Sequence, residues 1–159
     1  WAKRRTGTSE HILQDTDRGT SVKLSSDTSD GEQSVAGTIT AFNTDGFSVG
    51  TFSAVNTSGQ DYVSWTFKEQ PRFFDQVKYT GDGVAGREIA HDLGCEVGMM
   101  IVKCLTTGRD WWVYHKETDV NPETKYLLLN GTSDINDSAT AWNDTSPTDA
   151  RLIKRAETF

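Results

Sequence analysis

Trp111 and Trp112 stand side by side in the run Trp111-Trp112-Val113-Tyr114-His115. In an extended chain successive side chains point to opposite faces, so the two indoles cannot share one. Trp112 then shares a face with Tyr114, and Trp111 with Val113. An exposed indole or phenol can stack on the C–H face of a sugar while the ring hydroxyls find polar partners. Trp112 and Tyr114 are expected on the wetter face and are the candidate ligand-binding residues. The competing reading buries both faces, one under a second sheet and one under a loop or subunit.

The other reactive side chains form no catalytic pattern. His11, His91 and His115 lack metal-ligand spacing with one another or with cysteine. His91 precedes Asp92-Leu93-Gly94 and reads as a turn cap. His115 reads as the exposed end of the aromatic strand. Cys95 and Cys104 are too few for a disulfide scaffold, although a bridge between them is an open alternative. Cys104 reads as a small core hydrophobe in the apolar run Met99–Leu105.

No Gly-x-Ser-x-Gly elbow and no phosphate-binding glycine loop occur. Carboxylates are plentiful, but a glycosidase pair needs two of them in one cleft, one with a raised pKa. Asp27, Asp30 and Glu32, and Asp134 and Asp137, lie in polar loops and read as solvated. Asn56, Asn130, Asn136 and Asn143 head Asn-x-Ser/Thr triplets, which mark polar loops. No cofactor and no metal is expected.

These residues are carried by strands. Short β-branched and aromatic runs alternate with turn clusters, and helical periodicity is almost absent. Strands are expected near 1–5, 11–15, 21–26, 38–43, 46–50 and 61–68. A second set is expected near 73–80, 87–92, 98–105, 111–116, 125–130, 139–143 and 151–155. Pro71 separates the sets, giving segments 1–70 and 71–159. Trp65, alternating with Val63 and Phe67, reads as core, as do Trp142, Ile101 and Leu127.

The two sets are related. Lys3 and Lys103 lie 100 residues apart. So do His11–Asp15 and Trp111–His115, and so do Thr40-Ala41-Phe42-Asn43 and Thr140-Ala141-Trp142-Asn143. Thr28-Ser29-Asp30 matches Thr132-Ser133-Asp134 at 104. The expectation is a tandem β module of roughly 100 residues, cut at both ends from a longer array. The second copy has no equivalent of Asp61-Tyr62-Val63-Ser64-Trp65.

Composition narrows the partners. Sixteen Lys and Arg against 23 Asp and Glu leave a net charge of −7, which disfavours a nucleic-acid binder. The basic cluster Lys3-Arg4-Arg5 reads as a solvated strand end. No apolar run is long enough for a transmembrane helix, and no membrane insertion is expected. Aromatics at 10% argue against disorder.

Phe73-Phe74-Asp75-Gln76-Val77-Lys78-Tyr79-Thr80-Gly81-Asp82-Gly83, Arg87–Gly94 and Gly98–Lys103 together resemble a repeated β-rich domain of phage structural proteins. That domain is typical of tail-fibre-like proteins of marine and cyanobacterial phages. Trp112–His115, Tyr126–Asn130 and Ala141–Thr148 continue the resemblance. Upstream, Trp1–Arg5, Asp15–Gly19, Phe42–Gly50 and Asn56–Trp65 resemble the end of a preceding copy. Asp149–Phe159 departs from the pattern. The resemblance implies a virion structural or adhesion role and supplies no catalytic residues.

The expected fold is an all-β antiparallel sandwich, jelly-roll-like, built from related halves. The expected function is a non-enzymatic module at the virion surface or outside the cell. Its expected partners are a cell-surface glycan and other copies of the same fibre protein. The alternatives are a secreted carbohydrate-binding module, a depolymerase fragment with a carboxylate pair, and a spacer with no ligand.

Overall fold

A computed structural model describes residues 1–153. The fold is all-β, 28% strand and 2% helix, with antiparallel sheets as expected for a β-sandwich class. The strands are β1 (Ala2–Arg4), β2 (Ile12–Leu13), β3 (Val22–Ser25), β4 (Gln33–Ser34), β5 (Ile39–Asn43), β6 (Gly46–Val49) and β7 (Tyr62–Ser64). They continue as β8 (Glu88–Ala90), β9 (Met99–Val102), β10 (Trp112–His115), β11 (Lys125–Leu128), β12 (Asn136–Asp137) and β13 (Arg151–Ile153). One helical turn, Pro122–Thr124, precedes β11, with Pro122 placed where its missing N–H costs nothing.

The chain divides into two compact units. The first comprises residues 1–66, 103–111 and 129–131. The second comprises 67–102, 112–128 and 132 onward. The longest stretch of the first unit ends at Thr66, and the second unit begins at Phe67. The short excursions of loops 103–111 and 129–131 are invisible in sequence.

The first unit holds a five-stranded sheet, order β4-β3-β2-β1-β7, and the hairpin β5-β6. Its core gathers Ala2, Ile12, Ala54 and Val55, with Phe52 against them. Gly37 and Gly50 pass so closely that a Cβ on Gly50 would lie 2.5 Å from the Gly37 Cα. Only glycine fits there.

The second unit holds a four-stranded sheet, order β12-β11-β10-β9, and the pair β8-β13. Its core gathers Val97, Met100, Tyr114, Ala141 and Trp142. Arg151 pairs with Glu88 across β8-β13.

The repeat reappears as strand register. Ala2 faces Ile12, and 100 residues on Val102 faces Trp112. Ile12 faces Ser25 and Leu13 faces Leu24; Trp112 faces Leu128 and Val113 faces Leu127. Lys23 faces Gln33, and Tyr126 faces Asn136. The offset is thus 100 for the first two strands and 103 for the next two. The step falls between β10 and β11, where the helical turn Pro122–Thr124 lies. The offset of 104 read from Thr132-Ser133-Asp134 belongs to a loop, one residue out of step with the strands around it.

Several expected strands are absent. Residues 73–80 form only the isolated bridge Gln70↔Phe74. Their alternation suits a strand, but among the described residues they pair with none of the sheets. Residues 139–144 form turns instead, in which Asn143 (φ 56°) and Asp144 (φ 50°) take left-handed conformations. Thr40–Asn43 lies in a hairpin strand while its sequence match Thr140–Asn143 folds inward as a turn, so that likeness is not a structural one. Strands β4 (Gln33–Ser34) and β12 (Asn136–Asp137) lie in segments without an apolar alternation to mark them. Residues 154–155 of the last expected strand lie outside the described residues.

Candidate ligand-contact surface

Strand β10 is held on both sides, by β9 and by β11. Both its faces are largely covered, which corrects the expected wet face. Tyr114 is 1% exposed, deep in the second core. Trp142 packs edge-on to its ring, with centroids 5.9 Å apart. Trp112 is half-buried, stacked on Tyr126 at 4.0 Å and edge-on to Trp142 at 6.5 Å. The Trp142 Nε1–H donates to the Lys125 carbonyl at 2.7 Å. Sequence alternation located this face correctly but had no means of showing that Trp142 closes over it.

Trp111 is buried in the first unit. Its Nε1–H donates to the carbonyls of Ser25 (3.1 Å) and Thr28 (3.0 Å). The Lys103 ammonium stands 5.7 Å from the ring centroid, in cation–π range. Gly31 makes room for this arrangement: a Cβ there would lie 2.7 Å from the Leu105 carbonyl oxygen. That oxygen accepts the Glu32 N–H at 2.7 Å.

The repeated lysines and Asx residues serve as braces. Lys3 Nζ donates to the Ser9 carbonyl, and Lys103 Nζ to the Arg109 carbonyl, 100 residues on. Asp27 Oδ1 accepts the His11 N–H at 2.8 Å, and Asn130 Oδ1 accepts the Trp111 N–H at 2.9 Å. Ser26 N–H donates to the His11 carbonyl, as Leu129 N–H does to that of Trp111. These bonds fix hairpin loops whose backbone groups would otherwise need water. Asp27 and Asn130, read from sequence as loop polars, are thus structural. The signal that marks them is their position in the repeat at the strand offset of 103.

Several sequence expectations change here. Trp65 is 49% exposed, and Phe67 is exposed as well. Strand β7 ends at Ser64 and lies at the sheet's edge, so Trp65 projects past the end of the strand, with Trp1 edge-on to it at 6.0 Å. Ile101 also faces outward, whereas Leu127 is half-buried. His91 caps a turn as expected, its Nδ1 accepting the Leu93 N–H at 3.3 Å. His115 Nδ1 accepts the Glu117 N–H at the strand end.

Cys95 and Cys104 are both free thiols. Cys104 lies beyond the end of β9 and is half-buried rather than core. Burial pushes its pKa up, but hydrogen bonds from Thr107 and Thr106 to the sulfur outweigh burial and bring the thiol down from 9.0 to about 7. Iodoacetamide labelling of Cys104 will therefore rise to half its limiting rate near pH 7. In Thr107→Val that midpoint will move toward 9.0, which a pH series followed by peptide mass spectrometry will show.

Among the described residues no three His, Cys, Asp or Glu side chains converge as a metal site. Three of the acidic residues singled out in sequence have partners of their own. Asp30 meets the Thr28 hydroxyl, Glu32 lies beside Arg18 at 3.6 Å, and Asp137 pairs with Lys125 at 2.5 Å. Among the described residues no helix is long and apolar enough to cross a membrane.

The sequence pattern of a family described as a domain of unknown function, DUF7483, matches residues 1–158. The chain belongs to the DUF7483 family. Neither a curated protein nor a solved structure matches it. The exposed aromatics on the DUF7483 first unit include the Trp65 ring, with Trp1 beside it, and Phe42. On its second unit they include Phe67 stacked on Phe74 at 5.6 Å, with exposed Phe73 tilted against Phe67 at 6.2 Å.

Proposed function

We propose that the chain is a non-enzymatic structural and adhesion module of a virion-surface or extracellular appendage, of the tail-fibre type that its sequence resembles. The observation that carries the reading is the repeated meander, with the same strand register and the same loop braces in both copies. A scaffold assembled from repeats suits an extended appendage. Its repeated internal geometry holds loops in place through Asp27, Asn130, Lys3 and Lys103.

Trp65 supplies the contact with a host-surface glycan. It replaces Trp112 and Tyr114 in that role, because an indole must be open on one face to stack on a sugar. Single contacts of this kind are weak and gain strength from many copies along a fibre.

The test is binding of the purified chain to a panel of glycans and envelope polysaccharides. Saturable binding is expected, with a loss of roughly tenfold in Trp65→Ala, equivalent to about 1.4 kcal/mol. Trp65→Ala should keep the far-ultraviolet circular dichroism and the cooperative unfolding of the native chain. Absence of binding by a folded chain overturns the adhesion half of the reading and leaves a spacer. Hydrolysis of a polysaccharide on the panel overturns the non-enzymatic half.

A further inference from the structure

Among the asparagines of the chain, Asn130 alone precedes a glycine. Such a step is chemically labile. The glycine nitrogen can reach the asparagine Cγ, because no Cβ restricts the backbone rotation that brings the two together. The pair lies outside the ladders, in the connection between β11, which ends at Leu128, and β12, which begins at Asn136. Gly131 is exposed.

Asn130 belongs to the first unit, together with residues 103–111. Its carboxamide is held at both ends. Oδ1 accepts the Trp111 N–H at 2.9 Å, and Nδ2 donates to the Asp110 carboxylate at 2.9 Å. Negative charge gathers on Oδ1 when Cγ is attacked. The Trp111 N–H is already aimed at that oxygen, and a fixed donor there stabilises the charge.

We infer that Asn130 is a modification site, converted by spontaneous deamidation to aspartate and isoaspartate, and that the product loosens the loop that Asn130 braces. Hydroxide removes the Gly131 amide proton. The nitrogen then bonds to Asn130 Cγ, the Cγ–Nδ2 bond breaks, and Nδ2 leaves as ammonia with a proton taken from water. Water opens the resulting cyclic imide. Opening at Cγ gives aspartate, and opening at the main-chain carbonyl gives isoaspartate, whose backbone carries an extra carbon.

The first copy already holds a carboxylate at this position. Asp27 accepts the His11 N–H there, and the acidic residue before His11, Glu10, pairs with the Lys23 ammonium. In the second copy Asp110 stands before Trp111, and Tyr126 takes the register position of Lys23. Deamidation keeps an acceptor for the Trp111 N–H but turns the donor facing Asp110 into an anionic oxygen. Two carboxylates then stand in the place of one hydrogen bond and repel each other. The Lys103 ammonium, bonded to the Ser29 and Arg109 carbonyls, attracts Asp110 through space and softens that repulsion. Isoaspartate also lengthens the backbone next to the Leu129 N–H bond to the Trp111 carbonyl.

The full chain is kept folded in a mildly alkaline buffer at physiological temperature, and samples are digested with trypsin and read by tandem mass spectrometry. The mass gain of an amide turned to an acid is expected at Asn130, faster at higher pH. Asn136 and Asn143, in the same tryptic peptide 126–151, should stay amides over that time. Gly131→Ala should lose most of the gain. Asn130→Asp, made directly, should shift the urea midpoint below that of the native chain at neutral pH. Adding Asp110→Asn should restore the midpoint, because an amide can donate to the new carboxylate. Lowering the pH into the carboxylate range should narrow the gap as well, because protonation removes the repulsion. No gain at Asn130 in the folded chain overturns the inference. So does a gain only after unfolding in urea, which would mean that the brace protects the amide. A native midpoint for Asn130→Asp overturns the loosening of the loop.

Discussion

Trp142→Ala will destabilise the second unit by about 4 kcal/mol, the largest single-residue effect expected in the chain. Trp142 is buried, edge-on to both Tyr114 and Trp112, and bonded through Nε1–H to the Lys125 carbonyl. Truncation removes two aromatic contacts, opens a cavity among Val97, Met100 and Tyr114, and leaves that carbonyl short of a donor. Urea unfolding followed by fluorescence and by far-ultraviolet circular dichroism measures the loss. Trp142→Phe restores the ring but not the N–H, and should recover more than half of it. A loss below about 1 kcal/mol for the alanine variant would mean that Trp142 does not close this core.

Glu10→Ala is expected to cost about 2 kcal/mol through a different mechanism. Lys23 is 2% exposed, and its ammonium meets Glu10, the Ser25 hydroxyl at 2.9 Å and the Gln33 side-chain carbonyl at 2.6 Å. Removing Glu10 leaves a buried positive charge held by neutral oxygens alone. The figure stands below that of a fully buried pair because the Glu10 side chain is 41% exposed and water screens it. Lys23→Met deletes the charge itself and leaves Glu10 in contact with water, so it should lie within about 1 kcal/mol of the native chain. Equilibrium unfolding of both variants decides the matter. Equal losses in the two would show that Lys23 contributes packing and hydrogen bonds rather than a charge in need of a partner. In the second repeat the same register position is Tyr126, which stacks on Trp112 and needs no counter-ion.

Much of the strand pattern was legible because period-two alternation and turn residues are local signals. Strands β1 to β3, β5 to β7 and β8 to β11 fall where the residues place them. The segment 73–80 carries the same signal and forms no strand. Pairing requires an edge supplied from elsewhere, and alternation is silent about that. Trp65 fails for a related reason. The pattern Val63, Trp65, Phe67 resembles a core face, but β7 is the last strand of its sheet and ends before Trp65.

The repeat is the clearest case of what residues alone determined. Lys3 and Lys103 were matched by type and offset, and in the folded chain each holds the carbonyl six residues ahead. The β-rich class and the turn-capping role of His91 were likewise readable, because each depends on nearby residues. Tertiary structure alone decided which aromatics are open. Tyr114 and Trp65 occupy similar alternating contexts, yet one lies under Trp142 and the other faces solvent. It also decided that β1 gains β7 whereas no described strand pairs with the outer edge of β9. Burial and edge pairing depend on what arrives from a distant part of the chain, and no local pattern of residues encodes that arrival.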